Sequence, residues 1–400
     1  MKLPQGVHSS QPGQVCKLNK SLYGLKQASR QWFEKLTTFL QAQGFTHAHA
    51  DHTLFTKSDS SSFTAILVYV DDIILAGTSL TIFKDLKRAL DCTFYIKDLG
   101  ELKYFLGLEV ARSSKGITLC QRKYCLELLK DAGLTGCKPV TTPLDASTRL
   151  HQDDGSIFSD VTAYRRLVGR LLYLTTTRPD IAFATQQLSQ YMTAPTESHY
   201  KAALRVLRYL KQSPAHGILL SQNSDLQLSG FSDADWGGCL DTRRSVSGYC
   251  FFIGHSLVSW KAKKQLTVSC SSAEAEYRAL ASATRELQWL CFLLHDLKQH
   301  PSRLPVLYCD SQSAIHISAN PVFHERTKHL DIDCHLVREK LQAGVMRLLP
   351  VASKDQAADV FTKALGPRPF HDCISKLGLI NIYQPQACGG VTKHKADVAE

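Results

Sequence analysis

The sequence predicts a mixed α/β (α+β) protein of two or three domains, on three observations. At 400 residues with 44% hydrophobic content, the chain is long enough to bury more than one core. Apolar residues at helical 3–4 spacing alternate with short runs rich in Ile and Val, the pattern of helices interleaved with buried strands. Acidic residues fall at the ends of those apolar runs, where an uncompensated charge is costly.

From Val15 to Gly44 the spacing is helical, with Ser29 of "SRQWFEKLTTFLQAQG" expected as the N-cap and Gly44 as the stop. Residues 63–76 read as two strands of a hairpin, with Asp71 and Asp72 of "TAILVYVDDIILAG" at or beside its turn. A carboxylate pair enclosed by such apolar runs asks for a cation, usually a metal, to offset its desolvation. "SLTIFKDLKRALDCTF" returns to helical spacing, and "KDLGELKYFLGLEVARSSKGITLCQ" holds two strands around Ser113 to Gly116. The turn-forming segment Thr141 to Ser159 reads as a linker. Beyond it, "AYRRLVGRLLYL" and "SHYKAALRVLRYLKQS" are amphipathic helices. In the second, Arg205, Arg208 and Lys211 fall at i, i+3 and i+6 on a sector expected to face solvent, either as an ordinary charged face or as a phosphate track. From Leu226 the order changes. "LQLSGFSDADW", "RSVSGYCFFIG" and "SLVSWKA" suggest three antiparallel strands, "AEAEYRALASATRELQWLCFLLHDLKQ" one long helix, and "LPVLYCD" a buried strand closing on Asp310.

Composition narrows the function classes. Residues 1–222 carry 27 basic against 18 acidic side chains and residues 223–400 carry 20 against 18, which suits a polyanion gripped mainly by the first part. The 13 cysteines are odd in number and lack any C-x-x-C pair, against both a disulfide framework and a zinc ribbon. The start has no basic region followed by an apolar one, and no window offers roughly 18 unbroken apolar residues, so a soluble intracellular protein without membrane contact is expected.

Four acidic positions in the second half each abut a hydrophobic element: Asp233, Glu276, Asp310 and Asp359. Carboxylates converging from separate elements are what two magnesium ions need, because hard cations take oxygen ligands and a paired site clamps the attacking and leaving oxygens of a phosphodiester. Asp235 rivals Asp233 from the same strand face, and Glu274 rivals Glu276. On a helix residues 274 and 276 point about 200° apart, so only one of them faces the metals.

The chain resembles the C-terminal part of the Pol polyprotein of copia-type LTR retrotransposons. The blocks that carry the resemblance include "VCKLNKSLYGLKQASRQWF", "ILVYVDDIILAG", "LGELKYFLGLEV", "YRRLVGRLLYLTTTRPDIAFA", "SDADW", "SWKAKKQLTVSCSSAEAEYRAL", "DSQSAI", "HERTKHLDIDCHLVRE" and "QAADVFTKAL", in this order. The resemblance implies a reverse transcriptase palm and thumb over residues 1–140, linker and connection helices over 141–224, a ribonuclease H-like mixed five-stranded sheet with helices over 225–366, and a tail over 367–400.

The same resemblance assigns roles. Asp71 and Asp72 match the family's Y-x-D-D metal-binding turn. Asp233, Glu276, Asp310 and Asp359 match four ligands of a ribonuclease H site, with the spacing of "AEYRAL" selecting Glu276. The cofactor implied is Mg2+, with Mn2+ able to substitute. Lys26 and Arg30 of "GLKQASR" sit where phosphate contacts are expected. Phe105, Leu106 and Gly107 fall in the strand pair that holds a primer terminus. His329 is a candidate substrate contact; it crowds with His324, Cys334 and His335, but without a second cysteine pair zinc is not expected. The partners implied are an RNA/DNA hybrid, a template-primer and a complete Pol copy as dimer mate, in the cytoplasm, as a virus-like particle, or in the nucleus. A third polymerase aspartate is expected upstream of "MKLPQGV", so the expectation is Mg-dependent cleavage of RNA in hybrids, with little or no DNA synthesis by this chain alone and an open edge on the palm sheet. The alternatives are an inactive relic and a domesticated nucleic-acid-binding protein.

Overall fold

A computed structural model describes residues 24–319 and 331–381, together with 3, 5–7, 11, 13–19 and 22. The chain divides into two compact units, residues 1–100 with 291–299, and residues 101–290 with 300–400.

In the first unit, helix α1 (Ala28–Ala42) leads into strands β1 (Thr46–His47), β2 (Leu54–Ser58), β3 (Phe63–Tyr69) and β4 (Asp72–Gly77), followed by helix α2 (Leu80–Phe94). The strands form an antiparallel sheet in the order β1-β2-β3-β4. Alternation along β3 sends Ile66 and Val68 to one face, where with Phe55 they meet Leu36 and Leu40 of α1 and Leu86 and Leu90 of α2. Leu54 and Ala65 point to the other face and pack on Leu293 and Leu297. Asp296 fastens that contact by accepting the His49 and Ala50 N–H groups at 2.9 and 2.8 Å. Ser29 lies inside α1 rather than capping it. The N-cap is Gln27, which makes no side-chain cap bond, whereas Ser79 caps α2 by accepting the Ile82 N–H.

The second unit holds two five-stranded sheets. Strands β5 (Tyr104–Phe105), β6 (Leu108–Ser113) and β7 (Gly116–Cys120) come first, then helices α3 (Arg122–Asp131), α4 (Val161–Leu174), α5 (Ala182–Ser189) and α6 (Glu197–Gln212), and strand β8 (His216–Ser221). Strands β9 (Leu228–Ala234), β10 (Val246–Ile253) and β11 (Ser256–Lys264) precede helix α7 (Ser272–Asp296), whose residues from 291 on fall in the first unit. The chain continues through β12 (Val306–Cys309), α8 (Gln312–Ala319), α9 (Asp331–Gln342), β13 (Arg347–Pro350), α10 (Pro367–Lys376) and β14 (Leu379–Asn381). One sheet runs β14-β8-β7-β6-β5, wholly antiparallel. The other runs β11-β10-β9-β12-β13, antiparallel through β9 and parallel from β9 to β13. This is the mixed sheet expected from the sequence.

Three expectations are corrected here. The segment expected as a free linker buries Thr142, Leu144 and Leu150, the two leucines in the main core. Residues 367–381 of the expected tail are folded, with Phe370, Cys373, Ile374 and Leu377 in that same core. Arg205, Arg208 and Lys211 do share one face of α6, but the face is covered by chain rather than open to solvent. Arg205 donates to Thr142 Oγ1 at 3.0 Å and lies 3.6 Å from Asp145, Arg208 donates to the Lys138 carbonyl at 3.0 Å, and Lys211 to that of Cys137. Side-chain spacing reveals a common face but not what lies against it.

Between these helices Arg178 and Asp180 are 1% and 0% exposed and pair at 2.6 Å. Tyr209 donates to Asp180 at 2.6 Å, and Arg178 donates to the Ser213 carbonyl at 2.8 Å. Burial alone would raise the Asp180 pKa, but the Arg178 charge and these hydrogen bonds hold it below the usual carboxylate range.

Candidate metal centre

Asp233 sits next to the end of β9, opposite Gly248 on β10. A Cβ on Gly248 would come within 2.7 Å of both the Phe361 Cβ and the Thr362 Cγ2. Glycine there lets the short 3-10 helix Ala357–Phe361 press against the strand. That close approach brings Asp359, Thr362 and Lys363 onto Asp233.

Asp233 is 1% exposed. Its Oδ2 accepts the Thr362 hydroxyl, and its Oδ1 lies 3.3 Å from Lys363 Nζ. Lys363 also reaches Asp359 Oδ1 at 2.7 Å, one helical turn back. Asp310, just past the end of β12, accepts from Gln356 Nε2 at 3.3 Å and from Ser353 Oγ at 3.2 Å. Gln356 is wholly buried and also donates to the Ser232 carbonyl at 2.9 Å, so one amide ties β9 to the carboxylate on the neighbouring strand. Glu276, in the first turns of α7, completes the group. With Cys309 and Asp310 it offers ligand atoms all within 4.8 Å of one another.

The electrostatics are those of acids held out of water at close quarters. Burial pushes Glu276 up to about 9, with further raising by Asp233 and Asp310. Burial likewise pushes Asp233 up to about 6, countered by Lys363 and reinforced by Asp359. Lys363 would be lowered by burial, but the two aspartates raise it above the usual lysine range. Glu276 Oε2 is buried and, among the described residues, has no hydrogen-bond partner. A buried carboxylate oxygen left orphaned beside other carboxylates fits a cation, and oxygen donors fit a hard one. Burial pushes the Cys309 thiol up to about 12, so it stays protonated and adds no soft thiolate.

The two rival acids are engaged elsewhere. Asp235 accepts the Val246 N–H and pins the end of the β9–β10 pair. Glu274 accepts the Cys270 N–H at 2.7 Å and pairs with Arg278 at 2.7 Å. Sequence reasoning missed Gln356, Thr362 and Lys363, although they flank Asp359 in "DQAADVFTK"; polar residues spaced around one acid were the available signal.

In the first unit, Asp71 and Asp72 lie at the two-residue turn between β3 and β4, with Tyr69 paired to Asp72. Val70, the first turn residue, has a φ of 55°, the left-handed region that a β-branched side chain rarely adopts. Both aspartates are exposed, which corrects the expectation of an enclosed pair: the strands bury their apolar residues along their length and leave the tip in solvent. Lys26 and Arg30 are also exposed, in the turn before α1 and in its first turn. In the second unit, Leu106 and Gly107 form the two-residue turn between β5 and β6, with φ of 48° and 75°, and Tyr173 donates to the Leu106 carbonyl. His324 and His329 lie outside the described residues.

A short acid-tipped hairpin and an oxygen-rich acid cluster lie on separate sheets of an α/β chain, whose sequence places it in the reverse transcriptase class. The family model described as reverse transcriptase (RNA-dependent DNA polymerase) matches residues 1–146. The chain belongs to the Pol polyproteins of copia-type retrotransposons. It is 43% identical over 394 residues to the retrovirus-related Pol polyprotein from transposon RE2 of Arabidopsis thaliana, covering 98% of this chain and 27% of that protein. It is 33% identical to the putative transposon Ty5-1 protein of Saccharomyces cerevisiae, covering 72% of this chain and 94% of that one. The chain thus spans about a quarter of the Arabidopsis relative. Among solved structures, the foamy viral protease-reverse transcriptase in complex with RNA/DNA hybrid is 12% identical, with a TM-score of 0.44 over 83% of this chain and 39% of that chain. Among the described residues, no helix is long and apolar enough to cross a membrane.

Proposed function

We propose that the second unit is a ribonuclease H-type nuclease that cuts the RNA strand of an RNA/DNA hybrid with divalent metal. One observation carries the reading: Asp233, Glu276, Asp310 and Asp359, from four separate elements, meet in a group in which Asp233 and Glu276 are desolvated and Glu276 Oε2 has no partner among the described residues. Glu276, Asp310 and Asp233 are the residues to hold Mg2+, with Asp359 beside them. When bound, the metal supplies an activated water and stabilises the leaving oxygen. The chain's own groups do the positioning. Gln356 and Ser353 orient Asp310, Thr362 fixes one oxygen of Asp233, and burial among acids keeps Glu276 a proton holder until a cation arrives.

The exposed Asp71–Asp72 turn is read as the metal-binding turn of the polymerase part, on its two-residue geometry and free approach to solvent. Template-primer is then the ligand of the first unit. The decisive experiment is cleavage of a labelled RNA/DNA hybrid by the purified chain in Mg2+, beside Asp310→Asn of equal thermal stability. Cutting by the parent alone supports the nuclease; no cutting by folded parent would leave a relic or a binding-only protein.

A further inference from the structure

We infer that Lys363 is the resident cation of the Asp233–Asp359 half of the acid cluster, and that a second divalent ion binds there only by displacing it. The inference rests on the nuclease reading above and concerns how that site fills.

The cluster divides in two. On one side Lys363 Nζ bridges Asp233 and Asp359 at 3.3 and 2.7 Å, and the second oxygen of Asp233 is taken by Thr362. On the other side Glu276 and Asp310 gather without any ion pair among the described residues: Asp310 is held only by the neutral Gln356 and Ser353, and one Glu276 oxygen has nothing. A first ion entering between Glu276 and Asp310 therefore displaces no cation in contact with them, and Lys363 acts on Glu276 only from a distance. A second ion, entering between Asp233 and Asp359, must replace an ammonium already in contact with both carboxylates, since two cations cannot share those oxygens without strong repulsion. Lys363 follows directly on Phe361 and Thr362, which pack on Gly248, so its backbone is held beside the site. Its side chain is nonetheless 41% exposed, which gives the ammonium a path into solvent when an ion arrives. Lys363 thus keeps Asp233 and Asp359 together in the metal-free chain and weakens the second metal position relative to the first.

The test is a titration of Mn2+ alone into the full chain, its Lys363→Met and Lys363→Arg variants, read by calorimetry and by the paramagnetic signal of free Mn2+, with metal-free melting curves alongside. The expected result is that Lys363→Met tightens the second ion by about ten-fold or more, the order set by removing a unit charge in contact with the site. The first ion tightens less than the second, because Lys363 acts on Glu276 only from a distance, the metal-free melting temperature falls, and Lys363→Arg keeps the weak second site. A parent that binds one ion and a Met variant that binds two is the same result in its strongest form. Where the Met variant melts too low to titrate, Lys363→Gln must show the same tightening. Unchanged or weaker second-ion binding in a folded Met or Gln variant overturns the inference and leaves the metal site standing. If neither parent nor variants bind any Mn2+, the nuclease reading falls with it.

Discussion

Asp71 and Asp72 stand on the exposed tip of a hairpin, whereas Asp233 is buried and Glu276 half-buried, close to each other and to Asp310. Along the sequence the contrast runs the other way, since the first pair lies between purely apolar runs and the others are scattered from position 233 to position 310. Apolar neighbours along a strand belong to its length, and a turn lifts whatever follows them into water. Acids from separate elements become costly only where packing brings them together, as Gly248 and Gln356 do here. Asp180 adds a third case: it is buried as deeply, but Arg178 is built in as its counter-ion. An acid at a tip needs no cation for the chain to fold, an acid beside an arginine has one, and the Glu276 cluster depends on what it can recruit.

Substitutions separate these cases by the size of their effects. The largest is on chemistry. Glu276→Gln lowers Mg-dependent hybrid cutting by more than about 100-fold, beyond the roughly 10–100-fold attached to partners that only support a ligand. Asp72→Asn in the same assay leaves cutting unaltered; equal loss from both would erase the distinction between the two regions. Next comes Asp180→Asn, which strands the buried Arg178 guanidinium. Urea unfolding should show a loss of about 3–5 kcal/mol, and added Mg2+ should not restore it.

The pH dependence is smaller and has a fixed sign. Glu276 keeps its proton in the folded chain up to about 9, whereas the unfolded chain releases it near the ordinary glutamate value of 4.5. The stability it contributes is present in full below that lower value and is lost as pH rises through about 9. Asp233 adds a similar loss through about 6. The metal-free parent therefore melts lower relative to Glu276→Gln as pH rises, and the two curves diverge most above the Asp233 range. Parallel curves would mean that Glu276 is not held as a buried acid. At the hairpin the effects are slight. Val70→Gly relieves a left-handed backbone worth about 1–2 kcal/mol but adds about 0.5–1 kcal/mol of chain entropy, so a gain below about 1 kcal/mol is expected in thermal melts. Asp71→Asn should stay within about 0.5 kcal/mol of the parent.

What was legible in the sequence follows period and punctuation. The β3–β4 hairpin, the three antiparallel strands from Leu228, and the long helix α7 all carry their own spacing, and α2 carries its Ser79 cap. Polar contacts across the chain were not legible. The basic face of α6 has the period of a solvated surface, and only the fold shows residues 137–145 lying on it. Thr141 to Ser159 has the composition of a linker, yet Leu144 and Leu150 are two apolar residues among turn formers, enough to fasten it to the core. At the acid cluster the carboxylates could be singled out because each is anomalous beside its own strand or helix. Gln356, Thr362 and Lys363 show in the sequence only as polar residues spaced around Asp359, because their meaning lies in what they touch on other elements.

The sheet β14-β8-β7-β6-β5 takes its strands from residues 104–120, 216–221 and 379–381. A chain made from its N-terminus must therefore hold an unfinished sheet edge along β8 until Leu379 to Asn381 have been synthesised. At about 5–20 residues per second, the stretch between β8 and β14 takes on the order of ten seconds to emerge, ample time for a nascent edge to meet the wrong partner. Premature termination just before Phe370 would spare every acid of the cluster while removing α10 and β14, so a message cut short there would yield a product intact in its acidic residues yet short of part of its core.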